Sequence, residues 1–330
     1  MTTVSNEVPI ARRANAIIWV NRLREMAMIP VIVVLMIVGF IIAPDTFLSV
    51  ENLMNVLQQQ SELSLLVLAE ACILITGRFD LSLESTIGLA PALGLLVPMY
   101  FGLPTVWAVP ICLGVGILIG VFNGTLVVRF GLNAFIVTLG MLIVLRGLQT
   151  GTSAGKSLFQ EPASFSYLGS ASWFGIPVSI LVCIAAYAIG IVTLRYFRAG
   201  RALYAIGGNV DAARAAGIRT GRTVWGVYAI GGFLAALAGV MMAGRLGSVA
   251  ASQGNGMIFT VFAAAVIGGI SLNGGRGTLF GALCGVIVLG LIQNILLLAG
   301  VDPLWNPAIN GAIILVALIL TRLTSGKSQN

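Results

Sequence analysis

The chain has 330 residues, of which 58% are hydrophobic and 9% are charged, and its formal net charge is +7. Soluble domains carry about 25% charged residues, so this composition excludes an ordinary soluble protein and indicates a polytopic membrane protein. The positive charge does not by itself imply a nucleic acid partner, because basic residues also set the topology of membrane proteins.

Apolar runs of membrane-spanning length recur along the whole chain. A span needs about 20 mostly apolar residues, which leaves room for about ten spans with short connections. The basic N-terminal segment 1–26 precedes an apolar run that no small-residue cleavage site follows, so we expect a retained first span. The predicted spans lie near residues 27–43, 53–76, 83–100, 105–128, 134–151, 173–195, 223–243, 257–272, 278–299 and 305–321.

The distribution of basic residues predicts the orientation. An even number of spans puts both termini on one side of the membrane. If that side is cytoplasmic, Lys156 and Arg245 lie outside, Arg146 lies within a span, and every other Arg and Lys lies inside. This pattern predicts an all-α membrane protein with a cytoplasmic segment 1–26, one transmembrane domain over 27–322 and a cytoplasmic tail over 323–330.

Ionisable and amide side chains interrupt the second predicted span. Gln58 and Glu62 are one helical turn apart and share a face, and Glu70 follows further along. Such a stripe could line a path for a hydroxylated solute, or neighbouring helices could satisfy it inside the bundle. Arg146 is a candidate partner for one of these acids, and Asn294 is a weaker candidate for the same path.

The turn before the third predicted span carries several charged residues. Asp80 or Ser82 could cap the third helix, with Glu84 in its first turn. Arg78 is close enough in sequence to Glu84 to form an ion pair with it. Asp80 is also a candidate for the solute path.

Two spans carry glycines at four-residue spacing. This spacing keeps the glycines on one helix face, where a neighbouring helix can approach closely. Packing within the subunit is favoured over a dimer contact. The glycines are Gly116, Gly120 and Gly124 in the fourth span and Gly277, Gly281 and Gly285 at the ninth.

The sequence offers no convincing catalytic or metal site. Lys156, in Gly-Lys-Ser, resembles the end of a P-loop, but Thr150 stands where that motif needs a glycine, and the segment is predicted outside. There is no histidine, and the four cysteines lie in apolar blocks without a close pair. We therefore expect neither an enzyme nor a cofactor or metal bound by this chain.

The polar interval from Gly200 to Arg222 contains a short capped helix. Asn209 can cap the run Val210 to Ala216, Asp211 lies in its first turn, and Gly217 can take the left-handed position after its end. A free helix below roughly 12 residues is marginal in water. We therefore expect this helix to insert into a cleft of a cytoplasmic partner, the alternative being a solvated loop with one helical turn.

Three sequence motifs, in order, resemble those of a known family. They are Asp-Leu-Ser at 80–82, Gly-Gly-Asn followed by the Ala-rich run within 207–218, and the Gly-rich stretch 266–278. Together they resemble the permease subunits of ribose/xylose/arabinose-type ABC importers, and the resemblance extends from about the first span to the last.

This resemblance implies a function and a set of partners. A periplasmic binding protein would deliver a monosaccharide to two permease subunits, either two copies or two paralogues, in a bacterial inner membrane. A separate cytoplasmic ATPase, which binds ATP and Mg²⁺, would drive transport. The coupling loop 198–222 would contact that ATPase through Asn209, Asp211, Ala212, Ala213, Arg214, Ala215, Ala216 and Gly217.

The turn at 77–85 departs from the family pattern. Glu84 stands where the family usually has a small residue, and Arg78 and Phe79 replace Gly-Ile. The class of substrate therefore transfers, but its identity does not. The rival interpretation is a proton-coupled secondary transporter that uses Glu62, Glu70 or Asp80 as its relay, and a passive channel comes third.

Overall fold

The structure, a computed structural model, is almost wholly helical. It describes residues 28–159 and 162–305, together with residues 308, 309, 311–313, 315 and 319. The predicted cytoplasmic segments 1–26 and 323–330 lie outside the described residues, as does most of the predicted span at 305–321. The described helices are α1 Met28–Ile42, α2 Val50–Ile75, α3 Leu83–Phe101, α4 Ala108–Val128, α5 Ala134–Thr152, α6 Ala163–Ser170, α7 Val178–Tyr196, α8 Arg198–Gly208, α9 Val210–Ala215, α10 Thr220–Leu246, α11 Met257–Ile267 and α12 Leu279–Leu298, with short 3-10 turns at Thr105–Trp107 and Pro303–Trp305.

Six of the described helices are long and apolar enough to cross a membrane. They are α3, α4 with its preceding turn, α5, α7, α10 and α12. Their outward faces carry exposed large apolar side chains such as Leu118, Ile143 and Ile189. A continuous apolar exterior of this kind is suited to lipid and not to water. The chain is therefore an all-α, multi-pass membrane protein.

Several predicted spans differ from the helices. The span predicted at 173–195 begins at Val178, because β1 (Ser172–Trp173) and β2 (Ile176–Pro177) form an antiparallel hairpin first. Phe174 and Gly175 both have positive φ, as a tight two-residue hairpin turn requires. The span predicted at 257–272 is only the 11-residue α11, too short to cross a membrane alone.

Helices α2 and α10 form the centre of the bundle. The second half of α2 is almost entirely buried, and Tyr228 and Met241 of α10 are fully buried beside it. Helix α10 contacts α2, α3, α4 and α6, and α2 also contacts α7, α11 and α12. The polar residues in the second half of α2, Glu62 and Glu70 among them, therefore lie inside the protein and do not face lipid.

The glycines of α4 lie against α10 in the same chain. A Cβ at Gly116 would overlap the carbonyl oxygen of Gly232, and one at Gly120 would overlap that of Tyr228. Gly124 lies against Trp225. The two backbones therefore approach as closely as small residues allow.

The second glycine set lies against α11. Cβ atoms at Gly281 and Gly285 of α12 would overlap the carbonyl oxygens of Gly268 and Ala264. Gly277 precedes α12 and packs against Ile270 instead. Only two of these three glycines therefore belong to the helix.

Two segments that lie between predicted spans, on the side predicted to be outside, enter the bundle. Residues 163–170 form α6, whose Phe165 is fully buried against the C-terminal part of α10. In the stretch 250–256, the buried Gln253 donates through Nε2 to the carbonyl oxygens of Ile87 (2.8 Å) and Gly239 (3.1 Å). Both segments are short, and each is held in the bundle by a buried side chain, Phe165 in the first and Gln253 in the second.

We predict that Gly120→Ala destabilises the bundle. The added methyl group would overlap the backbone of α10, and overpacking of this kind costs about 1–3 kcal/mol. Thermal unfolding in detergent, followed by size-exclusion chromatography, measures the loss. Gly114→Ala on the same helix is the matched control, because nothing lies within 4 Å of a Cβ there. Equal stability of the two variants would contradict the close α4–α10 contact.

Candidate coupling surface and buried polar network

Helix α9 is short and completely capped. The Asn209 side chain accepts hydrogen bonds from the backbone N–H groups of Asp211 and Ala212, both at 2.9 Å. At the other end Gly217 has φ +81°, and the N–H groups of Gly217 and Ile218 donate to the carbonyl oxygens of Arg214 and Ala213. This pair of bonds is a Schellman motif, so both ends of α9 are fixed by the chain itself.

Ala213 is the one buried residue of α9, Val210 packs partly against the core, and the Arg214 Nε atom donates to the Thr220 hydroxyl at 3.3 Å. Arg214 and Asp211 form an exposed pair at 3.4 Å, which contributes little to stability. The remaining predicted coupling residues are exposed: Asp211, Ala212, Arg214, Ala215, Ala216 and Gly217. The surface presented to solvent is therefore mostly small side chains on a fixed backbone.

Helix α8 holds α9 against the bundle. Leu203 and Ile206 are buried, and the Tyr204 hydroxyl donates to the carbonyl oxygen of Gly277 at 2.9 Å. Gly207 lies directly against the carbonyl oxygen of Ile75, the last residue of α2. Sequence reasoning missed α8, although the three-residue spacing of Leu203 and Ile206 is typical of a helix with one apolar face.

Glu62 of α2 forms a bidentate ion pair with Arg245 of α10. The Arg245 Nε and Nη2 atoms lie 2.7 Å and 2.9 Å from the two carboxylate oxygens. The Gln58 Nε2 atom donates to the carbonyl oxygen of Gly169 at 2.8 Å. Gln58 and Glu62 thus face the region where α6 meets α10. The charge distribution of the sequence puts Arg245 outside, beyond the span predicted at 223–243, and this orientation stays a prediction. The structure extends α10 to Leu246, so Arg245 lies in its last turn and reaches a buried acid.

Arg146 pairs with Glu84. From the sequence, an acid of the second span was the predicted partner of Arg146 and Arg78 was the predicted partner of Glu84, and both predictions were wrong. The Arg146 Nη2 atom lies 3.0 Å from Glu84 Oε1, and Nη1 donates to the carbonyl oxygen of Gln253. The second carboxylate oxygen of Glu84 accepts the backbone N–H of Ile258 at 3.1 Å. Arg78 instead donates to the carbonyl oxygen of Thr76 at 3.2 Å. Glu84 is buried inside the bundle, whereas Arg78 lies in the turn after α2, so the two do not meet.

Glu70 and Asp80 are brought together in the interior. The backbone N–H of Asp80 points at both carboxylate oxygens of Glu70, at 3.3 Å and 3.4 Å. The Asp80 Oδ1 atom accepts the Ser82 hydroxyl at 2.5 Å, and the Asn123 amide donates to that hydroxyl at 2.7 Å. Asp80 therefore organises the turn internally, and Ser82 makes no side-chain cap on α3.

Asn294 of α12 makes a reciprocal pair of amide hydrogen bonds with Asn52 of α2, at 2.9 Å and 3.0 Å. The predicted path residues Gln58, Glu62, Glu70, Asp80, Arg146 and Asn294 thus all hydrogen-bond within the protein and fall into separate groups. Their contact with a solute stays a prediction. Among the described residues, no three His, Cys, Asp or Glu side chains lie together as metal ligands would.

These features define a helical membrane permease: a lipid-facing exterior, a polar network confined to the interior, and a capped helix projecting from one end. The family described as "Branched-chain amino acid transport system / permease component" matches residues 52–318. The chain belongs to this permease family, and its relatives are import permeases of ABC transporters, as the sequence resemblance predicted.

Individual relatives cover nearly the whole chain. The "Probable ABC transporter permease protein YphD" of Escherichia coli is 34% identical over 100% of this chain and 99% of its own length. The "Ribose import permease protein RbsC" of Haemophilus influenzae is 31% identical over 90% and 92%. The "Galactose/methyl galactoside import permease protein MglC" of Escherichia coli is 32% identical over 90% and 94%.

We predict that Glu62→Gln and Arg245→Gln each destabilise the protein. Removing one member of a buried ion pair typically costs about 3–5 kcal/mol, and partial exposure of Arg245 favours the lower end of this range. The double variant should lose less than the sum of the two. Unfolding by SDS titration measures all three, with the exposed Glu51→Gln on the same helix as control. Strict additivity would show that the pair does not interact.

Proposed function

We propose that this protein is the membrane-spanning permease subunit of an ABC importer for a monosaccharide, either a pentose, a hexose or a related furanosyl compound. A periplasmic binding protein delivers the sugar, and a separate ATPase powers its passage. The names of the ribose and galactose relatives support the substrate class. The protein is not itself an enzyme, and ATP and Mg²⁺ are bound by the ATPase.

The observation that carries this proposal is the exposed surface of α9. Its caps fix six residues as a helix, yet Ala213 alone is fully buried in the rest of the chain. A helix this short gains little stability from its own hydrogen bonds. A rigid surface of small side chains is suited to a complementary cleft, and we assign that cleft to the ATPase.

The proposed topology has ten spans with both termini in the cytoplasm. Six described helices meet the length and hydropathy of a span. The proposed count is completed by α1, by α2, by the region 257–272, in which the short α11 covers only part of the span, and by the predicted span at 305–321. The positive-inside distribution supports this orientation, which puts α8 and α9 in the cytoplasm. The protein lies in the bacterial inner membrane beside a second permease, either an identical copy or a paralogue.

The contacts of α8 suggest how movement passes from the ATPase to the bundle. Docking would hold α9, and α8 joins α9 to the end of α2 through the close contact of Gly207 with Ile75. Helix α2 carries Glu62 and Glu70 in the interior. Displacement of α9 therefore moves the helix around which the polar network is built.

We predict that Ala212→Trp abolishes association with the ATPase while the permease still folds. Ala212 is exposed on α9, so a large side chain there blocks a fitted cleft without disturbing the core. Copurification of the tagged permease with the ATPase measures association. Ala199→Trp is the matched control, because Ala199 is exposed on α8. Undiminished association of Ala212→Trp would contradict docking through α9.

Uptake by reconstituted vesicles tests the function itself. We expect sugar uptake to require the permease, the ATPase, ATP and the binding protein together. The same vesicles made with Ala212→Trp should transport only at background level. Uptake by the permease alone that collapses with the proton gradient would instead establish the rival secondary transporter.

A further inference from the structure

A cleft of about 810 Å³ opens beside α9 at the end of the bundle where α2 ends. Its walls come from the turn after α2, the α4–α5 turn, the α8–α9 junction and the start of α10. This volume lies within the range of roughly 300–1,000 Å³ that is typical of small-molecule sites. The cleft does not include the polar residues proposed for the solute path, so its function needs a separate explanation.

Two guanidinium groups, those of Arg78 and Arg214, line this cleft. Among the described residues, no carboxylate oxygen lies within 4 Å of an Arg78 side-chain nitrogen, and Arg78 donates a hydrogen bond to the backbone carbonyl oxygen of Thr76. Burial lowers the pKa of Arg78; the nearby Tyr228 acts in the opposite direction, and the charge of Arg214 lowers the pKa further. Within the described chain, Arg214 has only the exposed Asp211 as a partner, at 3.4 Å, and Arg78 has no carboxylate partner.

Neutral hydrogen-bonding groups surround the two arginines. The side-chain oxygens of Asn133 and Asn209 accept backbone N–H groups, which leaves their amide nitrogens without a hydrogen bond to the described residues. The side chain of Asn273 also lines the cleft. Amide groups of this kind bind hydroxyl groups, whereas paired guanidinium groups bind phosphate.

We propose that this cleft binds a phosphate monoester of a small polyhydroxylated compound, of which a sugar phosphate is the simplest example. The phosphate group lies between Arg78 and Arg214, and the hydroxyl groups contact the asparagine amides. Arg78 belongs to the turn after α2, whereas Arg214 belongs to α9, so one bound anion bridges the bundle and the proposed coupling helix. If the proposed function holds, this site lets a cytoplasmic phosphate ester regulate transport.

Calorimetric titration of the purified permease in lipid nanodiscs, without any ATPase, tests the site directly. The probe is glucose 6-phosphate, with glucose and inorganic phosphate as comparisons. We expect the ester to bind more tightly than either comparison. Arg78→Gln should weaken its binding roughly 10- to 100-fold, the range for a charge-assisted hydrogen bond. Arg214→Gln should have a smaller effect, because that side chain is more exposed.

Matched variants separate the proposal from general charge effects and from misfolding. Arg198→Gln removes the same charge from an exposed residue outside the cleft and should leave binding unchanged. Arg78→Lys keeps the charge but loses the planar fork, so we expect intermediate affinity. Thermal unfolding confirms that each variant is folded.

Three results would overturn the proposal: no binding of the ester, equal binding by wild type and Arg78→Gln, or equal affinity for inorganic phosphate and the ester. Ala212→Trp provides an independent check, because Ala212 does not line the cleft. This variant should bind glucose 6-phosphate normally even though its association with the ATPase is lost. Failure of the anion site and failure of the proposed function are therefore distinguishable.

Discussion

The carbonyl oxygen of Ile75 is the contact on which the coupling end of the molecule depends. It belongs to the last turn of α2, where carbonyl groups lack a partner within the helix. The backbone N–H of Gly275 donates to it at 2.9 Å, and Gly207 of α8 lies directly against it. One backbone atom thus joins α2, the turn before α12 and the segment that carries α9. Side chains larger than hydrogen would hold these three elements apart.

Features that depend on neighbouring residues could be predicted from the sequence, whereas contacts between distant residues could not. Asn209 and Gly217 predict both ends of α9 because capping depends on residues within one turn of each other. The ion pairs could not be assigned in the same way. Arg146 and Glu84 are separated by most of α3, all of α4 and part of α5, and several acids were compatible with Arg146. Only the packing of α3 against α5 selects Glu84.

Hydropathy locates apolar helices well but gives little information about short polar segments. Helix α6 and the stretch around Gln253 were expected outside because they lie between predicted spans, on the side that the charge distribution puts outside. Burial of Phe165, together with the two hydrogen bonds from the Gln253 amide, brings these segments into the bundle. Whether a polar side chain can enter depends on backbone acceptors from other helices. That information exists only after the helices have packed.

The cost of leaving a buried charge unpaired explains the ion pairs of the interior, and it does not apply to the exposed surface of α9. Inside the bundle, Glu62 and Glu84 are each matched by an arginine, because an unpaired charge there would be costly. Glu70 and Asp80 are also buried, but hydrogen bonds within the turn at 80–82 hold them in place of an arginine. At the end of the bundle, α9 exposes small side chains, Arg214 pairs only with the exposed Asp211, and Arg78 has no carboxylate partner among the described residues. The exposed face of α9 and the Arg78 side chain have no acidic partner buried among the described residues. The unmatched surfaces are therefore where interactions with other molecules are expected.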